Sequence, residues 1–328
     1  MIRGSNWTIG NNPTPEQLKK YYEDGFPGAP FNPVEYEGLF ENNIVRTGID
    51  IEHLVRTNPG NGKRALLWRS REKYDPGAFS DIAQKRGDCV SFGDMNARDV
   101  TRAVEIHIKG ESEEYYKRGA TEPTYGYRGH RGEGMDPARA AKFVTQYGWM
   151  VRQKYDGCVD LTTYNSRLVD KWGSKGPPDC VLEKCAEHPV GEYLVPETPD
   201  QAISLLQNGY ACHSGQNLGF ADNPDARGIH KVSGRWNHDM ATVGYDDTKQ
   251  IYQKRVYFVA NSWGVFNNQW FRWSEFAHIM GPPVDGLITV DGDVWEEYFL
   301  GGGSIYFYSD IKGFPAKNLP DYGTTSYL

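Results

Sequence analysis

The stretch Gly87–Glu105, GDCVSFGDMNARDVTRAVE, predicts the helix around which the rest of the chain is organised. Gly87 and Asp88 are typical of a turn and a helix N-cap, so Cys89 should lie in the first turn. The residues that recur at helical spacing after it are Phe92, Asn96, Val100, Ala103 and Val104. A thiol at the positive end of a helix dipole favours its nucleophilic thiolate form. Cys89 also fits a small buried core residue, so the rest of the chain has to decide between these interpretations.

The composition excludes several classes of protein. The chain has 328 residues, with 36 basic and 43 acidic side chains and a net charge of −7, which argues against a nucleic-acid-binding surface. No apolar run is long enough to span a membrane, and the N-terminus has no apolar core typical of a signal peptide. We therefore expect a location in the cytoplasm or in a virion. Aromatic residues make up 13% of the chain, with 37 glycines and 19 prolines, which favours a loop-rich mixed fold.

The five cysteines do not describe a disulfide scaffold, because their number is odd and small for a chain of this length. Cys180 and Cys185 have a spacing that could suit a metal ion, with His188 nearby. No second cysteine pair or histidine pair completes a zinc site. We therefore predict no metal and no cofactor, and the sequence leaves open whether Cys158, Cys180, Cys185 or Cys212 form pairs.

Helices are predicted first along the chain and strands afterwards, which favours an α+β fold. After the first helix, two more have clear start and stop signals: Asp136–Tyr147 and Pro199–Asn208. A short helix is also predicted at Pro15–Asp24, whereas Asp156–Val195 reads as polar and irregular. The predicted strands are Tyr210–His213, Asp239–Tyr245, Arg255–Asn261, Gly286–Val290 and Gly303–Tyr308.

Three parts of the chain follow from this order. Residues 1–75 are rich in turn formers and are predicted to be an extended N-terminal arm. Residues 76–275 are predicted to form the central domain. Residues 276–328 hold the last strands and an extended tail that begins near Phe314.

A cysteine nucleophile needs a base, and the base needs a partner that orients it. Of the eight histidines, His238 is the best candidate for the base, because it directly precedes the predicted apolar strand that continues to Tyr245. Downstream, a second buried strand ends in Asn261, beside Trp263. The Asn261 amide could orient the imidazole, while the indole keeps water away from that hydrogen bond.

These motifs resemble those of the papain-like cysteine peptidase family. GDCVSF is similar to its cysteine motif, NHDMATVGYDD to its histidine motif and YFVANSWG to its asparagine motif, in the same order along the chain. The stretch GHRGEGMDPARAAKFVTQYGWMVRQKYDG is similar to the glycine-rich loop and second helix of the family's left domain. The resemblance covers roughly residues 80–273. It implies that residues 76–275 have a two-subdomain fold, with a helical left half at about 80–157 and an antiparallel, β-barrel-like right half at about 198–275. An insertion at about 158–197 would separate the two halves.

The resemblance also implies residue roles. Cys89 would be the nucleophile and His238 its base and acid, with Asn261 orienting His238 and Trp263 shielding the pair. Gln84 would supply an oxyanion-hole donor, although it stands one residue closer to the cysteine than the family pattern. Gly132 or Gly134 would present backbone to an extended polypeptide substrate.

The chain departs from the family pattern at several positions. Val90 replaces the usual tryptophan after the nucleophile, and the negative charge of Asp88 precedes it. No cysteine pair joins the helix to the glycine-rich loop, and Asn267 and Asn268 occupy the region of an expected second tryptophan. No long helical propeptide is evident. These features indicate a distant, non-secreted relative.

Two interpretations of function remain. The first is an active thiol peptidase that uses Cys89, His238 and Asn261. The second is a structural or binding component of a large assembly such as a virion, for example that of a phage. Its arm and tail would contact neighbouring subunits, and its peptidase activity would be weak or lost. Cell-wall amidases and transglutaminase-like enzymes also place cysteine before histidine, but they lack the Asn-Ser-Trp-Gly strand end.

Overall fold

The computed structural model describes residues 49–111, 117–130, 132–265, 273–281, 284–302 and 304–311. The helices in these ranges are α1 (Ile51–Thr57), α2 (Trp68–Tyr74), α3 (Cys89–His107), α4 (Glu122–Gly126), α5 (Pro137–Tyr147), α6 (Ser166–Lys175), α7 (Asp179–Cys185), α8 (Pro199–Gln207), α9 (Trp273–Met280) and α10 (Gly292–Trp295), with a π-helical turn at Glu296–Leu300. The strands are β1 (Arg64–Ala65), β2 (Lys154–Tyr155), β3 (Val159–Asp160), β4 (Val190–Leu194), β5 (Cys212–Gln216), β6 (His238–Asp246), β7 (Val256–Ala260), β8 (Leu287–Asp291) and β9 (Ile305–Ile311). The predicted α+β class is confirmed. Within the described ranges no helix is both long and apolar enough to cross a membrane.

One antiparallel sheet holds most of the described strands, in the order β4-β9-β5-β6-β7-β8, and β1 pairs with β6 as a further strand. β2 and β3 form a separate two-stranded sheet. The β6–β7 register pairs Ala241 with Ala260. Because antiparallel neighbours run in opposite directions, the start of β6 lies beside the end of β7. The chain therefore brings residues near 238 and 261 to the same edge of the sheet.

α3 is the central helix, and every one of its 19 residues is buried. It packs on β5, β6 and β9. Gly93 allows this close approach, because a Cβ there would lie 1.9 Å from the Asp239 carboxylate oxygen. The predicted helix start at Cys89, with Asp88 as N-cap, is confirmed, although the Asp88 side chain makes no capping hydrogen bond.

Buried ion pairs neutralise the charged residues of α3. Arg98 is bonded to Asp94 one turn earlier, with its Nε 3.1 Å from Oδ1. Asp99 lies 3.3 Å from Arg71 of α2 and 3.2 Å from Arg102, and it accepts the Gly119 backbone N–H at 2.9 Å. All of these charged side chains are at most 1% exposed. These four charges of α3 can be buried because each of them meets an opposite charge.

The two other helices with clear sequence signals are also confirmed. α5 starts after Asp136, whose side chain accepts the Ala138 N–H, and it ends at Gly148, where φ is +81°. α8 starts with a capping box, in which Thr198 and Gln201 each accept a backbone N–H of the other. The predicted strands are present as β5 to β9. Caps and terminating glycines therefore predicted the two helices, α5 and α8, well.

The prediction that Asp156–Val195 is irregular was wrong, because α6, α7 and β4 lie there. α6 starts at an Asn165 cap but buries only Val169, Trp172 and Gly173 of its 10 residues, so its apolar stripe is sparse. A disulfide between Cys158 and Cys180 ties the segment together. Cys180 is therefore not available to a metal site with Cys185.

Residues 49–75 differ from the extended segment predicted for the first 75 residues. They contain α1, β1 and α2, and the fully buried Trp68 packs edge-on against Phe258 of β7 at 4.6 Å. The predicted helix at Pro15–Asp24 and the tail from Phe314 lie outside the described residues. The division of the chain into an arm, a central domain and C-terminal strands stays a prediction.

Candidate active site

The nucleophile candidate stands at the first position of α3. Cys89 is 1% exposed and has a free thiol. Just before it, Gly87 leaves no room for a side chain, because a Cβ would lie 2.9 Å from the Gly134 nitrogen. The Gly87 carbonyl accepts the Gly134 N–H at 3.1 Å. The 132–134 loop therefore packs directly on the segment that leads into Cys89.

His238 and Asn261 are brought together by the β6–β7 pairing. His238 is the first residue of β6, Asn261 follows β7, and His238 Nε2 lies 2.8 Å from Asn261 Oδ1. The same Oδ1 accepts the Ser262 backbone N–H at 2.7 Å. Because a backbone N–H can only donate, this atom must be the amide oxygen, so the His238 Nε2 must carry the proton. In the neutral ring, Nδ1 then holds the lone pair that a base needs.

The surroundings keep the His238 ring neutral. The ring is 2% exposed, and burial lowers the pKa of His238 to about 4, against the opposite effect of the Asn261 hydrogen bond. Trp263 stacks on the imidazole with ring centroids 4.7 Å apart and an interplanar angle of 28°. The predicted shield thus lies over the ring that it was expected to cover, while Trp263 itself stays 37% exposed.

His213 is a second buried histidine with an acidic partner. Its Nδ1 lies 3.0 Å from Asp239 Oδ2, and its Nε2 lies 3.0 Å from the Tyr308 hydroxyl. Both ring nitrogens are occupied, which suits a structural histidine. His130 and His230 are also buried, at 7% and 4% exposure. Burial lowers the pKa of each to about 4.

Gln84 links the loop before α3 to the end of β7. Its backbone N–H donates to the Ser262 carbonyl at 2.8 Å, and its side-chain oxygen accepts the Ser262 hydroxyl. Its Nε2 donates to the Arg86 carbonyl at 2.9 Å. One of the two side-chain amide N–H groups of Gln84 therefore already donates to the backbone three residues before Cys89. The role of Gln84 in an oxyanion hole stays a prediction.

The two glycines that were predicted to bind substrate, Gly132 and Gly134, are both on the loop beside Gly87. Gly134 has a φ of +86° and is buried, and its N–H is already donated to Gly87. Gly132 is half-buried. A β-type pairing at Gly134 would therefore have to use its carbonyl, and the choice between the two glycines stays open.

Asp88 is fully buried immediately before the nucleophile candidate. Tyr164 donates its hydroxyl proton to Asp88 Oδ2 at 2.8 Å. Burial raises the pKa of Asp88 to about 7, although the Tyr164 hydrogen bond acts in the opposite direction. Glu122, whose charge also raises this pKa, is itself paired with Arg152 at 2.7 Å. Asp88 therefore changes charge close to neutral pH.

Val90 occupies the position where the family pattern has tryptophan. It is fully buried in a small apolar cluster. The other buried members are Cys89, Tyr125, Met135, Ala140 and Val169, with Tyr127 and Tyr164 packed against them. Sequence reasoning missed Tyr164, because it lies 76 residues from Asp88 in a stretch without a motif.

Among solved structures, the chain is similar to several cysteine proteases. It aligns with xylellain, a cysteine protease from Xylella fastidiosa, at 15% identity and a TM-score of 0.49, over 83% of this chain and 92% of that one. It aligns with procathepsin B S9 from Trypanosoma congolense at 11% identity and a TM-score of 0.47, over 94% of each chain. A third similar structure is procathepsin L 3 of the Tenebrio molitor larval midgut, at 13% identity and a TM-score of 0.42, over 89% of this chain and 85% of that one.

No protein-family model and no curated protein matches the chain. Within the described ranges, no group of three or more histidine, cysteine, aspartate or glutamate side chains could hold a metal ion. The side chains that could carry chemistry at this site are a thiol at a helix start and a neutral, oriented imidazole.

We expect the charge of Asp88 to control the reactivity of Cys89. Asp88→Asn removes a negative charge next to the thiol, so at pH 8 the labelling of Cys89 by iodoacetamide should become about 3- to 10-fold faster. At pH 5.5 Asp88 is mostly neutral, because its pKa is about 7, and the two proteins should react at similar rates. Tyr164→Phe removes a hydrogen bond that lowers this pKa and should give a smaller increase at pH 8. An equal ratio of rates at both pH values would contradict this account.

Proposed function

We propose that the chain is a cysteine-type peptidase that hydrolyses peptide bonds through Cys89, His238 and Asn261. His238 Nδ1 takes the thiol proton, and the Cys89 sulfur attacks the carbonyl carbon of the substrate. The C–N bond breaks as His238 returns the proton to the leaving amine, and a thioester remains. Water, deprotonated by His238, then hydrolyses the thioester to a carboxylic acid and regenerates the thiol. The reaction needs no cofactor.

The orientation of His238 is the observation that supports this proposal most. Its Nε2 is fixed on Asn261 Oδ1 at 2.8 Å, and the Ser262 N–H identifies that acceptor as oxygen. A neutral ring held in this tautomer is suited to accept a proton at Nδ1. Asn261 itself is fully buried, so the bond competes little with water.

The oxyanion of the tetrahedral intermediate needs donors near the sulfur. We propose that the Cys89 backbone N–H, in the first turn of α3, and the Gln84 side-chain amide supply them. The tether of Gln84 to Ser262 supports this, because it fixes the amide between the loop before Cys89 and the strand end that carries Asn261.

We propose that the substrate is an extended polypeptide that pairs with the backbone of the 132–134 loop. This loop lies against Gly87, two residues before the nucleophile. Pairing with main chain would read the extended shape of a peptide more than its sequence. Trp263 would act through His238 and not by contact with the scissile bond.

An epoxysuccinyl thiol probe tests the proposal on the full-length chain. Attack of the Cys89 thiolate opens the epoxide, so intact-mass measurement should show one added probe, located at Cys89 by peptide mapping. The two other free cysteines provide an internal control, since both are buried and burial raises the pKa of Cys185 to about 12 and that of Cys212 further. If the folded chain stays unlabelled while the unfolded chain reacts at all three free thiols, the proposed function is wrong.

A further inference from the structure

A third aromatic ring completes the cover over His238. Trp236 lies 4.6 Å from Trp263 between ring centroids, and its ring meets the His238 ring edge-on at 6.2 Å. Trp263 in turn stacks on His238 at 4.7 Å. The half-buried Trp236 therefore contacts the shield and the base candidate together.

The backbone between Trp236 and His238 makes this packing possible. Asn237 has a φ of +45°, in the left-handed region. Asparagine tolerates this conformation better than most residues, but it is still less favourable than an ordinary backbone conformation. Because of the turn at Asn237, Trp236 folds over the ring pair while His238 starts β6. This conformation indicates that the position of Trp236 is specified by the fold.

The 219–234 segment holds Trp236 from the other side. Gly219 donates its N–H to Gly234 at 3.0 Å and accepts the Ser233 N–H at 2.7 Å. A Cβ on Gly219 would lie 2.6 Å from Trp236 Nε1, so only glycine leaves space for the indole. Phe220 packs edge-on against Trp236 at 5.7 Å. Trp236 is thus fixed between this segment and Trp263.

We propose that Trp236 is a positioning residue for His238, which holds Trp263 against the imidazole and keeps water from the His238–Asn261 hydrogen bond. The inference rests on the proposed function for its catalytic consequence, but the ring packing has its own physical effect. The titratable neighbour of His238 along β6 is Asp239, and the Asp239 carboxylate is bonded to His213. Burial is accordingly the main influence on the His238 pKa. Removing an aromatic cover should raise that pKa towards the ordinary value of about 6.5.

Histidine NMR titration of the full-length chain in a Cys89→Ala background tests the inference without any need for activity. In Trp236→Ala the His238 pKa should rise by at least about one pH unit, whereas Trp236→Phe should leave it nearly unchanged. Trp236→Leu keeps apolar volume but not ring coverage, and it should give an intermediate rise if the alanine variant does not fold. The titration of His130, which is buried beside Arg128 and lies outside the 219–234 segment, serves as a control and should not move.

In the background with Cys89 present, the ratio of Trp236→Ala labelling rates at pH 5.5 and pH 7.5 should fall relative to the wild type, because a protonated His238 cannot accept the thiol proton. The fall reaches about tenfold if the His238 pKa returns to about 6.5. An unchanged His238 pKa in both the alanine and leucine variants overturns the inference. The two proposals fail separately. A chain that is never labelled contradicts the peptidase proposal, whereas a His238 pKa that ignores Trp236 contradicts only the positioning role.

Discussion

Replacing His238 with alanine should lower the rate of Cys89 labelling at pH 7 by about 100- to 10,000-fold, the range of a lost general base. The reason is local: Nδ1 of a neutral ring, fixed by the 2.8 Å bond from Nε2 to Asn261, would no longer be present to take the thiol proton. Initial rates with the epoxysuccinyl probe measure the effect. Asn261→Ala should cause a smaller loss, because the base remains but its tautomer and direction are no longer fixed.

His230→Gln is the matched control for that experiment. His230 is also buried and also has a pKa lowered to about 4, but its Nδ1 accepts the Thr289 N–H at 3.0 Å. Labelling of this variant should stay within about twofold of the wild type once folding has been checked by circular dichroism. An equal loss in both variants would mean that burial of a histidine, and not its position, controls the reactivity of Cys89.

The buried ion cluster on α3 should give the largest effect on stability. Asp99→Asn keeps the shape of the side chain but leaves Arg71 and Arg102 without their shared carboxylate in the core. Breaking a buried pair in this way costs about 3–5 kcal/mol of unfolding free energy. Urea unfolding followed by tryptophan fluorescence measures this loss as a lower midpoint.

An exposed ion pair provides the comparison for Asp99. Lys184 and Glu187 lie 2.6 Å apart, with side chains 39% and 50% exposed. Glu187→Gln should change the unfolding free energy by no more than about 0.5 kcal/mol, because solvent screens such pairs. A loss below about 1 kcal/mol for Asp99→Asn would show that water or rearrangement replaces the buried carboxylate.

The positions of the three candidate residues, at the ends of a helix and two strands, could be predicted from the sequence because they depend on local sequence patterns. Cys89 follows a turn and an N-cap, His238 opens an apolar strand, and Asn261 closes another. Two strands that follow each other along the chain pair antiparallel, so their polar ends meet without any further information. The α+β class and the helix at Asp136–Tyr147 were predictable for the same reason.

The missed features depend on contacts between distant parts of the chain. The Asp88–Tyr164 bond joins residues 76 apart, and nothing near Tyr164 in the sequence indicates a partner. The apolar spacing of α3 predicts one buried face, whereas ion pairs with α2 and within the helix allow all of it to be buried. α6 was missed because its buried stripe is sparse. In each case the stabilising contacts include some that join residues far apart along the chain, and a local sequence pattern does not contain that information.

The Cys158–Cys180 bridge places two opposite redox requirements in one molecule. It closes a loop of 22 residues, which by the chain-entropy estimate stabilises the fold by about 3 kcal/mol, and such bonds are rare where glutathione keeps thiols reduced. Cys89, by contrast, can react only as a free thiol. A reducing compartment or buffer that keeps the Cys89 thiol reduced therefore also favours reduction of the Cys158–Cys180 disulfide. The oxidation state of a preparation consequently has to be measured at both places before its reactivity or stability is compared with another.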